Sequence, residues 1–213
     1  VGAAAAGVVV LGRQFSSRTV AVSAGIICGI LPRATWAGIE ARPYALSMTA
    51  AVWVTVLLVH AMRRNTGWLW MSYGFVVAAS VLLDVYLALM VVAHAAFVCG
   101  HRGGRTVVVR FGITAVLAAA VVTPFVVHTV GQAQQIIWVS PIGRRTIEDV
   151  TVQQYFERSP FFLLVSAVLV ATAIVLWRLG SAHLTPGDRQ LLTVSIAWLV
   201  IPTALILGWS ALI

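Results

Sequence analysis

Apolar runs separated by short polar breaks account for almost the whole chain. Val1–Leu11 reads as the end of one helix. Full runs follow at about Thr19–Ile39, Pro43–Met62, Trp68–Leu83, Val85–Cys99, Val107–Val130, Pro160–Trp177 and Gln190–Ile213. A bilayer-spanning helix needs about 20 mostly apolar residues, and most of these runs approach or exceed that length. The pattern predicts an all-α, polytopic transmembrane helical bundle of about seven full spans plus the end of an earlier one. Residues 1–213 are then part of a single transmembrane domain.

The segment Trp68–Cys99 admits two readings. As one helix it would run roughly 48 Å at about 1.5 Å per residue, too long for one upright span. Asp84 stands in its middle. Two short spans turning at Asp84 put Met62–Arg64 and His101–Arg105 on the same side. With that turn, one side collects Arg13, Arg18, Arg63, Arg64, Arg102, Arg105, Arg110, Arg178 and Arg189, opposed only by Asp188. The other side carries Arg33, Arg42, Arg144, Arg145 and Arg158 against Glu40, Asp84, Glu148, Asp149 and Glu157. The first side is strongly positive and the second neutral, so the first is expected to face the cytoplasm. Acidic residues contribute little to orientation. Their concentration on the external side therefore asks for a functional reason.

The one long polar connection is 131–159, also external. Its "TIEDVTVQQYF" opens with a capping-box-like Thr146 and Asp149. Ile147, Val150 and Tyr155 can share a helix face, which predicts a short amphipathic helix on the membrane surface. "HLTPGD" (His183–Asp188) reads as a Pro–Gly turn. "GIICG" (Gly25–Gly29) is a small-xxx-small pattern, explained by close helix packing. Cys28 and Cys99 fall in different halves of the membrane, so no disulfide is expected between them.

Composition supports the membrane class. Of 213 residues, 61% are hydrophobic and 9% charged, against about 25% charged in soluble domains. The net charge of +8 raises a nucleic-acid reading. The arginines, however, are scattered between apolar spans, as the positive-inside rule requires, and no nucleic-acid partner is expected. All 14 basic residues are arginine; with the Ala, Val and Gly load this points to a GC-rich genome. The sequence contains no HExxH, P-loop, GxSxG or paired CxxC motif, so soluble-enzyme and nucleotide-binding readings have no motif behind them.

Candidate chemistry concentrates in "GIEARPYAL" (Gly38–Leu46). Glu40 and Arg42 lie where one apolar run ends and the next begins. An interfacial salt bridge accounts for them without function. As a site, Arg42 offers a guanidinium for phosphate and Glu40 a carboxylate for a sugar hydroxyl or a metal. Arg33 adds a second cation nearby. Asp84 is either a helix cap or a carboxylate facing the same cavity, able to act as a general base. Gln134 and Trp138 in "GQAQQIIWVSP" suit a carbohydrate, although an aromatic belt also explains Trp138. His128 is either a polar helix end or a metal ligand. His60 and His94 are expected to be structural, at or near cytoplasmic helix ends.

The order of these features resembles the polyprenyl-phosphate-sugar-dependent glycosyltransferases of the GT-C superfold, of the protein-O-mannosyltransferase and aminoarabinose-transferase type. The residues carrying the likeness are Arg13 and Arg18, Pro32, Glu40–Leu46 (EARPYAL), Arg63–Arg64, Trp70 with Tyr73, and later Gln134, Trp138 and Pro141. Where that family often has a His–Tyr pair, this chain has Asp84–Val85–Tyr86. The resemblance implies inverting transfer of a sugar, mannose or arabinose, from a polyprenyl-phosphate donor to a cell-envelope acceptor hydroxyl on a glycan, glycolipid or protein, at the external face of the cell membrane. It implies a donor site at Glu40, Arg42, Arg33 and Tyr44, with Gln134, Trp138, Arg144 and Arg145 toward the acceptor. A divalent metal on Glu40 and His128 is the cofactor to look for. The principal catalytic acid is expected before Val1, with Asp84 the candidate inside the chain. Two other classes stay open: a flippase or transporter of a lipid-linked saccharide, and a non-catalytic membrane subunit. Against a transporter, no internal repeat or pair of broken helices is visible.

The arginine asymmetry yields a topological prediction. Cysteines introduced at Asp84 and Gly143 label from outside intact cells with a membrane-impermeant maleimide. Those at Arg64 and Gly103 label only after permeabilisation, and external labelling at Gly103 contradicts the turn at Asp84.

Overall fold

The computed structural model describes residues 1–101, 104–131, 143–180 and 183–212. Every regular element among them is helical. In chain order these are α1 (Gly2–Arg13), α2 (Arg18–Ile30), α3 (Pro32–Ile39), α4 (Tyr44–Arg64), α5 (Gly67–Leu83), α6 (Ala88–Gly100) and α7 (Arg105–Gly131). They continue with α8 (Arg144–Glu148), α9 (Gln154–Phe156), α10 (Pro160–Arg178) and α11 (Pro186–Leu212). A 3₁₀ turn, Val85–Leu87, precedes α6, and a π turn, Asp149–Gln153, joins α8 to α9.

Among the described residues four helices are long and apolar enough to cross a membrane: Tyr44–Arg64, Arg105–Thr129, Pro160–Arg178 and Pro186–Ala211. This marks a membrane protein. α2 and α3 form a bent pair that meets the same test together, while Gly2–Arg13, Gly67–Leu83 and Val85–Gly100 are apolar but shorter. The helix breaks at Asp84, where the turn is expected: α5 ends at Leu83 and the Asp84 carboxylate accepts the Tyr86 amide at 3.0 Å.

The run Thr19–Ile39 departs from the expected single span. It breaks at Leu31–Pro32, with 54° between the two helices. Proline has no amide to give the preceding turn and its ring pushes the residue before it out of the helical region. Leu31 accordingly sits at ψ 130°. Pro32 is then well placed at the first position of a new helix. "HLTPGD" is also more than a turn. The Thr185 amide and hydroxyl donate to the Asp188 carboxylate at 3.0 and 2.7 Å, and the Asp188 amide donates back to the Thr185 hydroxyl at 3.2 Å. These reciprocal bonds are a capping box, with Pro186 inside it opening α11.

The chain divides into two compact units, residues 1–45 with 143–192, and 46–142 with 193–213. In the first, α1 and α2 lie against each other, α3 follows α2, and α9 packs on α3. Gly25 permits the first of these contacts: a Cβ there would run into the Val9 side chain and come within 3.0 Å of the Ala5 carbonyl oxygen. Gly29 faces the same helix less tightly, its Cβ position 3.8 Å from the Ala5 Cβ. The Ser16 hydroxyl ties the α1–α2 turn to the start of α11 by donating to Asp188 at 2.6 Å.

In the second unit α5, α6 and α7 pack together around Trp70, Tyr73, Phe97 and Phe111, all buried. Arg110 on α7 donates to the Asn65 carbonyl beyond the end of α4, and the Trp70 indole donates to the Asn65 side chain at 3.0 Å. Cys28 and Cys99 are free thiols. Arg33 and Glu157, which the charge count assigns to the same side, are paired within the first unit.

The α1–α2 contact makes a stability prediction. Gly25→Val forces the helices apart and costs about 1–3 kcal/mol, as overpacking of a tight interface does. Gly29→Ala is nearly neutral. Thermal unfolding of the purified chain in detergent separates the two.

Candidate functional site

The polar residues of the first unit gather at the junction of α3, α4 and the end of α9. Arg33 lies in the first turn of α3, where the helix dipole disfavours a cation. Two neighbours offset this. Its guanidinium donates to the Glu157 carboxylate, and it lies over the Trp36 ring, 4.1 Å from the centroid, in cation–π range. Trp36 is one turn further along α3, so both side chains fall on one helix face.

Trp36 in turn stacks on Tyr44, at 5.4 Å between centroids and 26° between planes. The Tyr44 hydroxyl accepts from Arg42 at 3.0 Å, and the Arg42 Nε is 3.9 Å from Glu40. The result is a continuous chain: Glu157, Arg33, Trp36, Tyr44, Arg42, Glu40. It contains two cations, two carboxylates and two aromatic rings. Chiefly the Tyr44 hydroxyl, and then the Glu40 carboxylate, raise the Arg42 pKa, so Arg42 is a permanent cation.

Exposure separates the two arginines. The Arg42 side chain is 61% exposed and its carboxylate neighbour is at the limit of ion-pair distance. It can take an external anion without giving up a close partner. Arg33 already holds one. With side chains 42% and 30% exposed, the Arg33–Glu157 pair is worth about 0–1 kcal/mol. The backbone around Glu157 is strained as well. Glu157 sits at φ 45° and Arg158 at φ 62°, the left-handed region that costs a non-glycine residue about 1–2 kcal/mol each.

The structure thus brings Arg33, Glu40, Arg42 and Tyr44 together as the sequence suggests. It adds two residues that were not singled out. Trp36 was accessible from its spacing to Arg33. Glu157 lies 124 positions from Arg33, and no local signal links them. Asp84 belongs to the second unit, where it caps the turn before α6. His128 is exposed near the end of α7, also in the second unit. Among the described residues no three His, Cys, Asp or Glu side chains come together to hold a metal ion. Gln134 and Trp138 lie outside the described residues; Arg144 and Arg145 open α8. That helix begins before Thr146, whose hydroxyl accepts the Gly143 amide at 2.9 Å. Thr146 therefore occupies the third helical position, where its hydroxyl takes the amide of the cap residue Gly143, and is not itself the cap. Ile147 on the same helix is exposed.

A second polar group, in the second unit, is of a different kind. His94 stands in the middle of α6 rather than at its end, and is fully buried. The Thr55 hydroxyl donates to the Ala51 carbonyl at 3.0 Å, so its oxygen accepts the His94 Nε2–H at 2.7 Å. Nδ1 then accepts from the Tyr73 hydroxyl at 2.9 Å. Every hydrogen of the trio has an acceptor and both ring nitrogens of His94 are paired, the kind of pairing that lets a buried polar network stabilise a core. The adjoining cleft, lined by Val77, Ser80, Met90 and Val91, has room for about one water molecule. His94 is structural here, as the sequence led us to expect.

No protein-family model, curated protein or solved structure matches this chain.

The contrast between the two groups is testable by stability. Tyr73→Phe leaves Nδ1 of His94 without a donor and costs about 1–3 kcal/mol, the penalty for an orphaned buried group. Tyr44→Phe, at an exposed hydrogen bond, leaves the melting temperature of the chain in detergent unchanged.

Proposed function

We propose that this chain is the membrane part of a glycosyltransferase that moves a sugar, mannose or arabinose, from a polyprenyl-phosphate donor to a cell-envelope hydroxyl on the external face. The observation that carries the reading is the Glu157-to-Glu40 chain of side chains. It is confined to a helix junction and flanked by apolar helices. A lipid-linked donor presents an anionic phosphate and a sugar together at such a boundary. Guanidinium groups match the phosphate, and aromatic rings and carboxylates match the sugar.

In this reading the reaction is the one that the resemblance implies. The acceptor oxygen attacks the anomeric carbon and a carboxylate takes its proton. The bond from the anomeric carbon to the phosphate oxygen breaks, and the lipid phosphate leaves with the electron pair. Arg42 stabilises the charge that develops on that leaving group.

One observation favours a second reading. The break between α2 and α3 puts an arginine at an interrupted helix, a feature that carriers use to hold substrates. A flippase for a lipid-linked saccharide would move the donor without cleaving it.

Transfer from a radiolabelled polyprenyl-phosphate sugar to an envelope acceptor distinguishes these. Glu40→Gln and Arg42→Ala each lower transfer by at least about tenfold, the factor expected when one group stabilising the transition state is lost, while expression is unchanged. Full transfer by both variants returns the pair to an interfacial salt bridge. Movement of the labelled lipid across the membrane with no transfer favours the carrier.

A further inference from the structure

We infer that Glu157 is an internal stand-in for a phosphate: its carboxylate occupies the place on Arg33 that a phosphate anion takes when bound, and its displacement frees the segment between α9 and α10. The inference rests on the reading of this junction as a donor site and adds how that site is kept and opened.

Three observations converge on it. First, the Glu157 carboxylate meets the Arg33 guanidinium through one oxygen on one nitrogen, and a phosphate oxygen is an acceptor for a guanidinium as a carboxylate oxygen is. Second, both side chains of the pair are partly exposed, so an incoming anion can approach Arg33 from solvent. A dianionic phosphate has more charge to offer than the carboxylate it replaces. Third, the backbone at the tether is held away from its preferred conformation. Glu157 and the following Arg158 are both left-handed, and neither is a glycine. Strained residues of this kind persist where surrounding contacts fix them, and they gather at ligand clamps and switches. Here the fixing contacts include the Arg33 ion pair and the packing of α9 on α3. Once a phosphate takes Arg33, Glu157 loses its partner and the two residues can relax to ordinary φ. That motion carries α9 off α3 and opens the junction where Trp36, Tyr44 and Arg42 lie.

The tether keeps Arg33 paired while no donor is present. It also makes phosphate binding and opening of the segment one event. The residue that reports it is already in place: Arg158 is exposed, and trypsin, which binds its substrate extended, cuts after it faster once the backbone can leave the left-handed conformation.

The test uses the full chain in lipid nanodiscs, with farnesyl phosphate and inorganic phosphate as separate probes. Binding is read by calorimetry and cleavage after Arg158 by mass spectrometry. In the wild type, farnesyl phosphate is expected to bind and to speed cleavage after Arg158 about tenfold. Glu157→Gln is expected to bind it about tenfold more tightly and to be cleaved rapidly without it. Arg33→Ala is expected to be cleaved rapidly in either case and to bind it weakly. The exchanged pair, Arg33→Glu with Glu157→Arg, controls for folding. It restores slow cleavage, and farnesyl phosphate no longer accelerates it. If Glu157→Gln binds no more tightly than wild type and cleavage ignores the ligand, the stand-in is overturned while the donor site survives. If inorganic phosphate reproduces every effect of the lipid at equal concentration, the stand-in holds and the lipid-donor reading falls. If neither probe binds the wild type, both fall.

Discussion

The constraint on which everything else depends is that an apolar chain in lipid must satisfy its own backbone. No water in the hydrocarbon region can pair an exposed amide or carbonyl, so helices that close all their hydrogen bonds internally are the available solution for single segments. This accounts for the helical elements throughout the described residues. It also explains where the chemistry lies. Outside the buried His94 trio, the polar side chains discussed here cluster where helices stop: at the α2–α3 break, at the α3–α4 junction, at the end of α9 and at the start of α11. A helix end brings unpaired backbone groups to the surface, and the charged side chains gather where those groups already need a polar medium.

The helices were legible in the sequence because hydrophobicity alone sets them. Asp84 was readable as a turn for the same reason, since a carboxylate in mid-run is costly and a short loop removes the cost. Pro32 carried its signal too, but a reading by apolar length passes over it, because proline breaks a helix by sterics and not by polarity. The Thr185–Asp188 cap was overlooked in the same way. Its residue types advertise a turn, and only their spacing shows that the turn is the first turn of α11.

The candidate site was legible in part. "EARPYAL" put Glu40, Arg42 and Tyr44 within a few residues of one another, so their meeting is a local matter. Arg33 could be placed near them because α3 is short. Glu157 could not, since its contact with Arg33 joins segments 124 residues apart and depends on how α9 lies on α3. The charge count gave only a weak constraint, that both residues belong to the same side. The Tyr73–His94–Thr55 trio was hidden for a related reason: three polar residues on three helices announce nothing until α4, α5 and α6 are packed.

These two polar groups also show why the junction, and not the trio, is the place to look for function. In the trio each hydrogen has one acceptor and each lone pair in use has one donor. A ligand could bind there only by breaking a bond that burial makes expensive to lose. The junction is organised the other way. Its aromatic rings and hydroxyl hold the arginines in register, yet the Arg42 guanidinium lies largely in the open and the Arg33 partner is one that another anion can replace. Preorganised cations with weak or distant counter-charges bind an anion at little reorganisation cost. Complete pairing in the trio therefore stabilises the fold, whereas incomplete pairing at the junction leaves guanidinium groups that an anion can reach.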